Sequence, residues 1–237
     1  MMKAILLAVT TAVALAGGAT LVTRVAAQRP PTDREFGTLH PQRIIIGLDL
    51  SKSNPLIDNQ EFAAKVGARI ANIVRNLDFA SEVHVRTFGN YDATSNNFAY
   101  DVVLSKLNHP QDVAAEVQRL VAGTPMLVRS GKWRAQDNTN IVAFLDNLSR
   151  GIGCRGMPTT IILASDGIED SAYAKLYRPG AHLPVAAGRP FAGCAELEIL
   201  GLGEGADSPR LTARLRDEWS GWARSGGFDQ FTGLNDW

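Results

Sequence analysis

This chain has no cationic excess. Lys plus Arg is 24 and Asp plus Glu is 24 in 237 residues, a formal charge of zero. A nucleic-acid footprint needs a basic excess or stripe, and neither is present, so no nucleic-acid partner is expected. Histidine is scarce. His40, His84, His109 and His182 are scattered, with no pair at helical spacing, which argues against a zinc hydrolase. His84 falls inside a strand pattern and reads as structural. The Gly-x-Ser-x-Gly elbow is missing, which weighs against an α/β serine hydrolase. There are no internal repeats, and beyond the first residues there is no low-complexity tract. Cysteine is limited to Cys154 and Cys194.

What remains suits one medium-sized α/β domain with a full core, or at most two small ones; 45% of the chain is hydrophobic. Met1, Met2 and Lys3 form a short basic start, and residues 4–23 carry no charge. Val25-Ala26-Ala27 offers a small-residue cleavage point, and Ala14-Leu15-Ala16 a second. Residues 1–27 therefore read as an export signal, or else as an uncleaved N-terminal anchor close to bilayer length. Residues 28–42, with Pro30, Pro31 and Pro41, read as a linker, and 43–237 as the domain. Either reading of the start puts the domain outside the cytoplasm, in the periplasm or the extracellular space. In that oxidising setting the two cysteines are a disulfide candidate; the alternative is two separate buried thiols.

Periodicity gives the element order β-α-β-β-α-α-β-α-β-α. A first strand covers 43–50. Phe62, Val66, Ile70, Ile73 and Leu77 then mark one face of a helix over 59–77. Residues 81–88 alternate, and 100–104 are close enough to pair with them as an antiparallel hairpin. Pro110 opens a helix running to Gly123. Residues 124–138 read as a loop, 139–150 as a helix and 159–164 as a strand. A short helix is expected over 169–176, then an irregular Pro- and Gly-rich stretch over 177–193. A strand at 196–201 and a helix carrying Leu211, Leu215, Trp219 and Trp222 follow; both tryptophans are spaced for the core. The alternation predicts an open, mostly parallel sheet with one antiparallel edge strand and helices on both faces.

The polar residues cluster at strand ends. The run Ile44-Ile45-Ile46-Gly47-Leu48 ends in Asp49, followed by hydroxyls at Ser51 and Ser53. These are hard oxygens, the ligand type that a cation such as magnesium prefers. The 159–164 strand leads to Asp166. As neighbours, the two strands would share one rim, where open α/β sheets bind ligands. Thr139, which opens the helix over 139–150, returns to that rim.

Asp49-Leu50-Ser51-Lys52-Ser53, then Asp137-Asn138-Thr139-Asn140-Ile141, then Ala164-Ser165-Asp166-Gly167 resemble the metal-ion-dependent adhesion site of von Willebrand factor A domains, the integrin I-domain-like fold. The resemblance covers about residues 43–225 and matches all five ligand positions. It implies a magnesium site, with manganese or calcium as alternatives. Ser51 and Ser53 would bind directly, Thr139 directly or through water, and Asp49 and Asp166 mostly through water. It also implies an exported binding module whose cation accepts an Asp or Glu from a protein partner. An envelope, secretion, conjugation or pilus assembly is one setting, and no catalysis is implied. The chain departs from the pattern at Asn54, where many members carry a bulkier apolar residue, and in lacking a clear final strand after Trp222.

The alternative from another class is a magnesium-dependent phosphoester hydrolase with Asp49 as nucleophile or metal anchor. Against it, Ser51 stands where aspartyl phosphatases carry a second Asp, and no lysine has a phosphate-binding context. Around the rim, Arg129, Lys132, Trp133 and Arg134 are either contacts for an acidic partner or a solvated loop. Residues 89–97, with Tyr91 and Asp92, are likewise either recognition residues or a plain polar turn.

Overall fold

The computed structural model describes residues 38–90, 98–206 and 208–237. The signal or anchor at 1–27, the linker up to residue 37, and Tyr91 and Asp92 lie outside the described residues. No helix among the described residues is long and apolar enough to cross a membrane.

Six strands form one sheet: β1 (Arg43–Asp49), β2 (Glu82–Phe88), β3 (Ala99–Val103), β4 (Thr159–Ala164), β5 (Cys194–Leu200) and β6 (Gln230–Leu234). Their order is β3-β2-β1-β4-β5-β6. β2 and β3 pair antiparallel, and every other adjacent pair is parallel. Helices α1 (Gln60–Arg75) and α2 (Pro110–Ala122) pack on one face, and the short α3 (Thr124–Arg129) follows α2. Helices α4 (Ile141–Gly151) and α5 (Pro209–Gly226) cover the other. The expected open, mostly parallel sheet with one antiparallel edge strand is what the chain forms.

The local reasons are readable. β1 and β4 are apolar on both sides because both faces are covered, so they appear as unbroken runs rather than alternations. Asn59 starts α1 by accepting the Phe62 N–H on Oδ1 at 3.0 Å. Trp219 and Trp222 lie in the core, as their spacing requires.

Three expectations need correction. The chain does have a last strand: β6 pairs parallel with β5 and closes the far edge. Residues 124–129, expected as loop, are helical, because Pro125 sits in the first turn, where its missing N–H costs nothing. Residues 169–176, expected as a helix, fold back on themselves instead. Asp170 bridges Lys175, and the Leu176 N–H donates to the Glu169 carbonyl at 2.9 Å, which leaves no helical ladder.

Cys154 and Cys194 are bridged, with Cα atoms 5.1 Å apart. The bridge lies at the rim where β4 and β5 begin, opposite the rim holding Asp49 and Asp166. It anchors the end of the irregular stretch over 177–193. That stretch is seated on α5: the Arg214 guanidinium donates to the carbonyls of Leu176, Arg178 and Ala181, and Phe191 packs on Trp222 with ring centroids 5.7 Å apart.

At the β2–β3 end, the face on the α4–α5 side carries charge instead of apolar side chains. His84 Nδ1 lies 2.5 Å from Asp101 across the strand pair, Arg86 pairs with Asp101, and Arg43 pairs with Glu82. His84 thus lies between the acidic side chains of Glu82 and Asp101. At the β5–β6 end the opposite face is polar too: Glu198 takes the Arg69 guanidinium, and Glu196 accepts from Thr232.

Candidate metal centre

β1 lies in the middle of the sheet, between β2 and β4. The chain leaves β1 toward α1 on one face, while α4 enters β4 from the other. The crevice between their ends is the position where open α/β sheets hold ligands.

Asp49 ends β1 and is fully buried. Its Oδ1 accepts the Ser51 N–H at 2.8 Å, and its Oδ2 accepts the Ser165 hydroxyl at 2.7 Å. The Ser51 and Ser53 hydroxyl oxygens lie 3.4 Å apart, with Ser51 buried and Ser53 exposed. Asp166 follows β4. Its Oδ1 accepts the Ile168 N–H at 2.8 Å, while its Oδ2 is buried with no hydrogen-bond partner among the described residues. Ser53 lies close enough to favour the Asp166 charge, though no hydrogen bond of normal geometry joins them. Thr139 is buried. It exchanges two backbone hydrogen bonds with Asp170, at 3.2 and 2.9 Å, in the loop that follows Asp166. Asp49, Ser51, Ser53 and Asp166 are therefore brought together, and Thr139 is stitched to the Asp166 loop.

The carboxylates are poorly compensated. Burial pushes Asp49 up to about 6, against the hydrogen bonds it accepts. Burial, with repulsion from Asp49, pushes Asp166 up to about 7. Among the described residues, no ion pair reaches either one. Nearby cations are engaged elsewhere, Lys52 with Asp137 and Lys175 with Asp170, each at 2.6 Å. No three His, Cys, Asp or Glu side chains among the described residues are grouped to hold a metal, so hydroxyls must contribute to any site here. An all-oxygen set with two uncompensated acids and one orphaned buried oxygen fits a hard divalent cation.

Four residues have a supporting role that the sequence does not assign to them. Ser165 ties Asp49 to the end of β4. Gln136 bridges Ser51, and its backbone bonds Leu50 and Lys52. Trp219 reaches across from α5 to donate its indole N–H to the Gly167 carbonyl at 2.8 Å. Gly167 has φ +74°, and a Cβ there would meet Leu202 at 2.5 Å, so the turn after Asp166 needs glycine. Asn54 explains the departure from an apolar residue at that position. It is buried, and its amide donates to the carbonyls of Asp49 at 2.8 Å and Ala164 at 3.0 Å, clamping the ends of β1 and β4. Its Oδ1 also accepts the Leu56 N–H at 3.3 Å. Asn54→Leu keeps the number of side-chain heavy atoms and their branching, and removes all three bonds. Chemical denaturation is expected to show a loss of roughly 2–3 kcal/mol.

The basic stretch divides. Arg129, Lys132 and Arg134 are exposed, whereas Trp133 packs on Phe98 with ring centroids 5.2 Å apart.

No protein-family profile and no curated protein matches the chain in sequence. Among solved structures it is similar to an aerotolerance-related membrane protein of Bacteroides fragilis, at 15% identity and TM-score 0.47, over 82% of this chain and 92% of that one. It is similar to the pilus adhesin SpaC of Lactobacillus rhamnosus, at 13% identity and TM-score 0.46, over 84% of this chain and 28% of that one. A further likeness is to VWA2, an ArnB paralog of Sulfolobus acidocaldarius, at 12% identity and TM-score 0.47, over 84% of this chain and 42% of that one. The chain thus spans most of the first but under half of the other two. Likenesses at this level carry no conclusion about function.

Proposed function

We propose that this chain is an exported von Willebrand factor A-type binding module. It docks a protein partner's Asp or Glu through a divalent cation, magnesium first, held by Asp49, Ser51, Ser53, Thr139 and Asp166. The observation that carries the reading is the pair of buried aspartates at the β1–β4 crevice, with no basic partner and no bond to Asp166 Oδ2 among the described residues. A buried acid without a counter-charge is costly, and a bound cation removes that cost.

When bound, the cation supplies an electrophilic point for an incoming carboxylate. The chain's own residues do the rest. Ser51 and Ser53 present neutral oxygens, so few negative ligands compete with the partner's acid. Ser165 and the Ser51 N–H hold Asp49 in one orientation, and the Ile168 N–H does the same for Asp166. The disulfide is in keeping with an oxidising compartment, periplasmic or extracellular.

Magnesium titration calorimetry on the wild type, Asp49→Ala and Ser51→Ala tests this. The wild type is expected to bind one magnesium ion and both variants none, with unchanged circular dichroism. Wild-type protein that takes up neither magnesium nor manganese sinks the proposal.

A further inference from the structure

Glu169 lies three residues beyond Asp166 and is completely buried, at 0% exposure. Both of its carboxyl oxygens are used. Oε2 accepts the N–H groups of Ile141 at 2.7 Å and Val142 at 3.1 Å, and Oε1 accepts the Ser171 hydroxyl. Ile141 and Val142 are the first two residues of α4, two and three past Thr139. Asn140, at the capping position of that helix, makes no side-chain cap. A glutamate from another loop therefore takes over the cap, its carboxyl oxygen accepting the first two N–H groups of the helix.

The same loop holds Thr139 by backbone. Thr139 and Asp170 exchange two hydrogen bonds, and the Glu169 carbonyl accepts the Leu176 N–H at 2.9 Å. The limb carrying Thr139 and the limb carrying Asp166 are far apart in sequence. Glu169 and its neighbour Asp170 join them. A cap formed within one segment would stabilise α4 equally well, but it would not fix Thr139 relative to Asp166.

We propose that Glu169 is a positioning residue for the cation site: its carboxylate ties the first turn of α4 to the loop after Asp166 and so sets Thr139 against the two aspartates. This rests on the divalent-cation reading above. Glu169 binds no cation itself. Partners that orient metal ligands are typically worth about 10–100-fold in metal affinity.

The test is magnesium titration calorimetry on four proteins: wild type, Glu169→Gln, Glu169→Ala and Val117→Ala. Val117 is a buried α2 residue on the opposite face, and its truncation controls for a general loss of stability. Glu169→Gln keeps an acceptor oxygen for the two N–H groups and removes the charge. Expected are a loss of about tenfold or more in Glu169→Ala, at least partial rescue in Glu169→Gln, and wild-type affinity in Val117→Ala. Wild-type affinity in Glu169→Ala overturns the proposal. So does an equal loss in Glu169→Gln and Glu169→Ala, which would make the effect one of charge alone, or an equal loss in Val117→Ala. Absence of binding in the wild type is a different failure: it removes the cation reading and this inference with it.

Discussion

Asp166→Asn is expected to make the metal-free protein more stable at about pH 8, while abolishing its response to magnesium. Asp49, Asp166 and Glu169 are raised to about 6, 7 and 7 from 3.8, 3.8 and 4.5, burial being the first cause in each. A carboxyl raised in the folded state holds its proton after the unfolded chain has lost it. Its stabilising contribution is complete below the ordinary carboxylate value and disappears as pH rises through the folded value. In chelator, stability should therefore fall between about pH 4 and pH 7.5. Asparagine at 166 has no proton to lose, so the slope flattens. The gain at about pH 8 is roughly 2–4 kcal/mol, or about 5–10 °C in melting temperature. Magnesium acts the other way, raising wild-type stability at high pH and leaving the variant unchanged. Melting curves from about pH 5 to pH 8, with chelator and with magnesium, check both parts. A wild-type profile in chelator that rises with pH over that range contradicts the burial argument.

Removing the disulfide is expected to have the other large effect. The bridge spans 40 residues, which in the chain-entropy account is worth about 4 kcal/mol, or roughly 10 °C. Cys154→Ser with Cys194→Ser should lower the melting temperature by that amount and leave magnesium affinity unaltered, because the bridge and the site occupy opposite rims. Because the bridge acts by restricting the unfolded chain, hydrogen exchange should show the loss of protection at the core amides that exchange by global unfolding. Altered magnesium affinity would mean that the two rims are coupled. Both sulfurs are buried, so reductant should act slowly on the native protein.

The sequence made the centre of this fold legible and its margins obscure, for physical reasons. β1 and β4 are buried on both faces, so Ile44–Leu48 and Thr159–Ala164 stand out as apolar runs, and the polar groups just beyond them are conspicuous. β6 is five residues, half exposed and polar at its start, so Gln230–Leu234 carries no period to detect. α3 is shorter than two turns and itself opens on Thr124-Pro125 after Gly123, so its periodicity cannot register. The 169–176 stretch suggests a helix, but its fate is set by distant groups: Glu169 bonds Ile141 and Val142, some 28 residues upstream. Asn54 and Ser165 stand out in the sequence, but their partners lie more than 100 residues away along the chain, so their roles do not.

The place of β1 in the sheet has a mechanical consequence. Asp49 is at one end of this strand and Arg43 at the other, and β1 is laddered to β2 on one side and β4 on the other. Tension applied between the rim and the chain preceding Arg43 runs along the strand axis. The hydrogen bonds of both ladders then resist together in shear, instead of opening one after another as they would at an edge. A pull along β1 is thus borne by both ladders at once and does not peel the sheet apart.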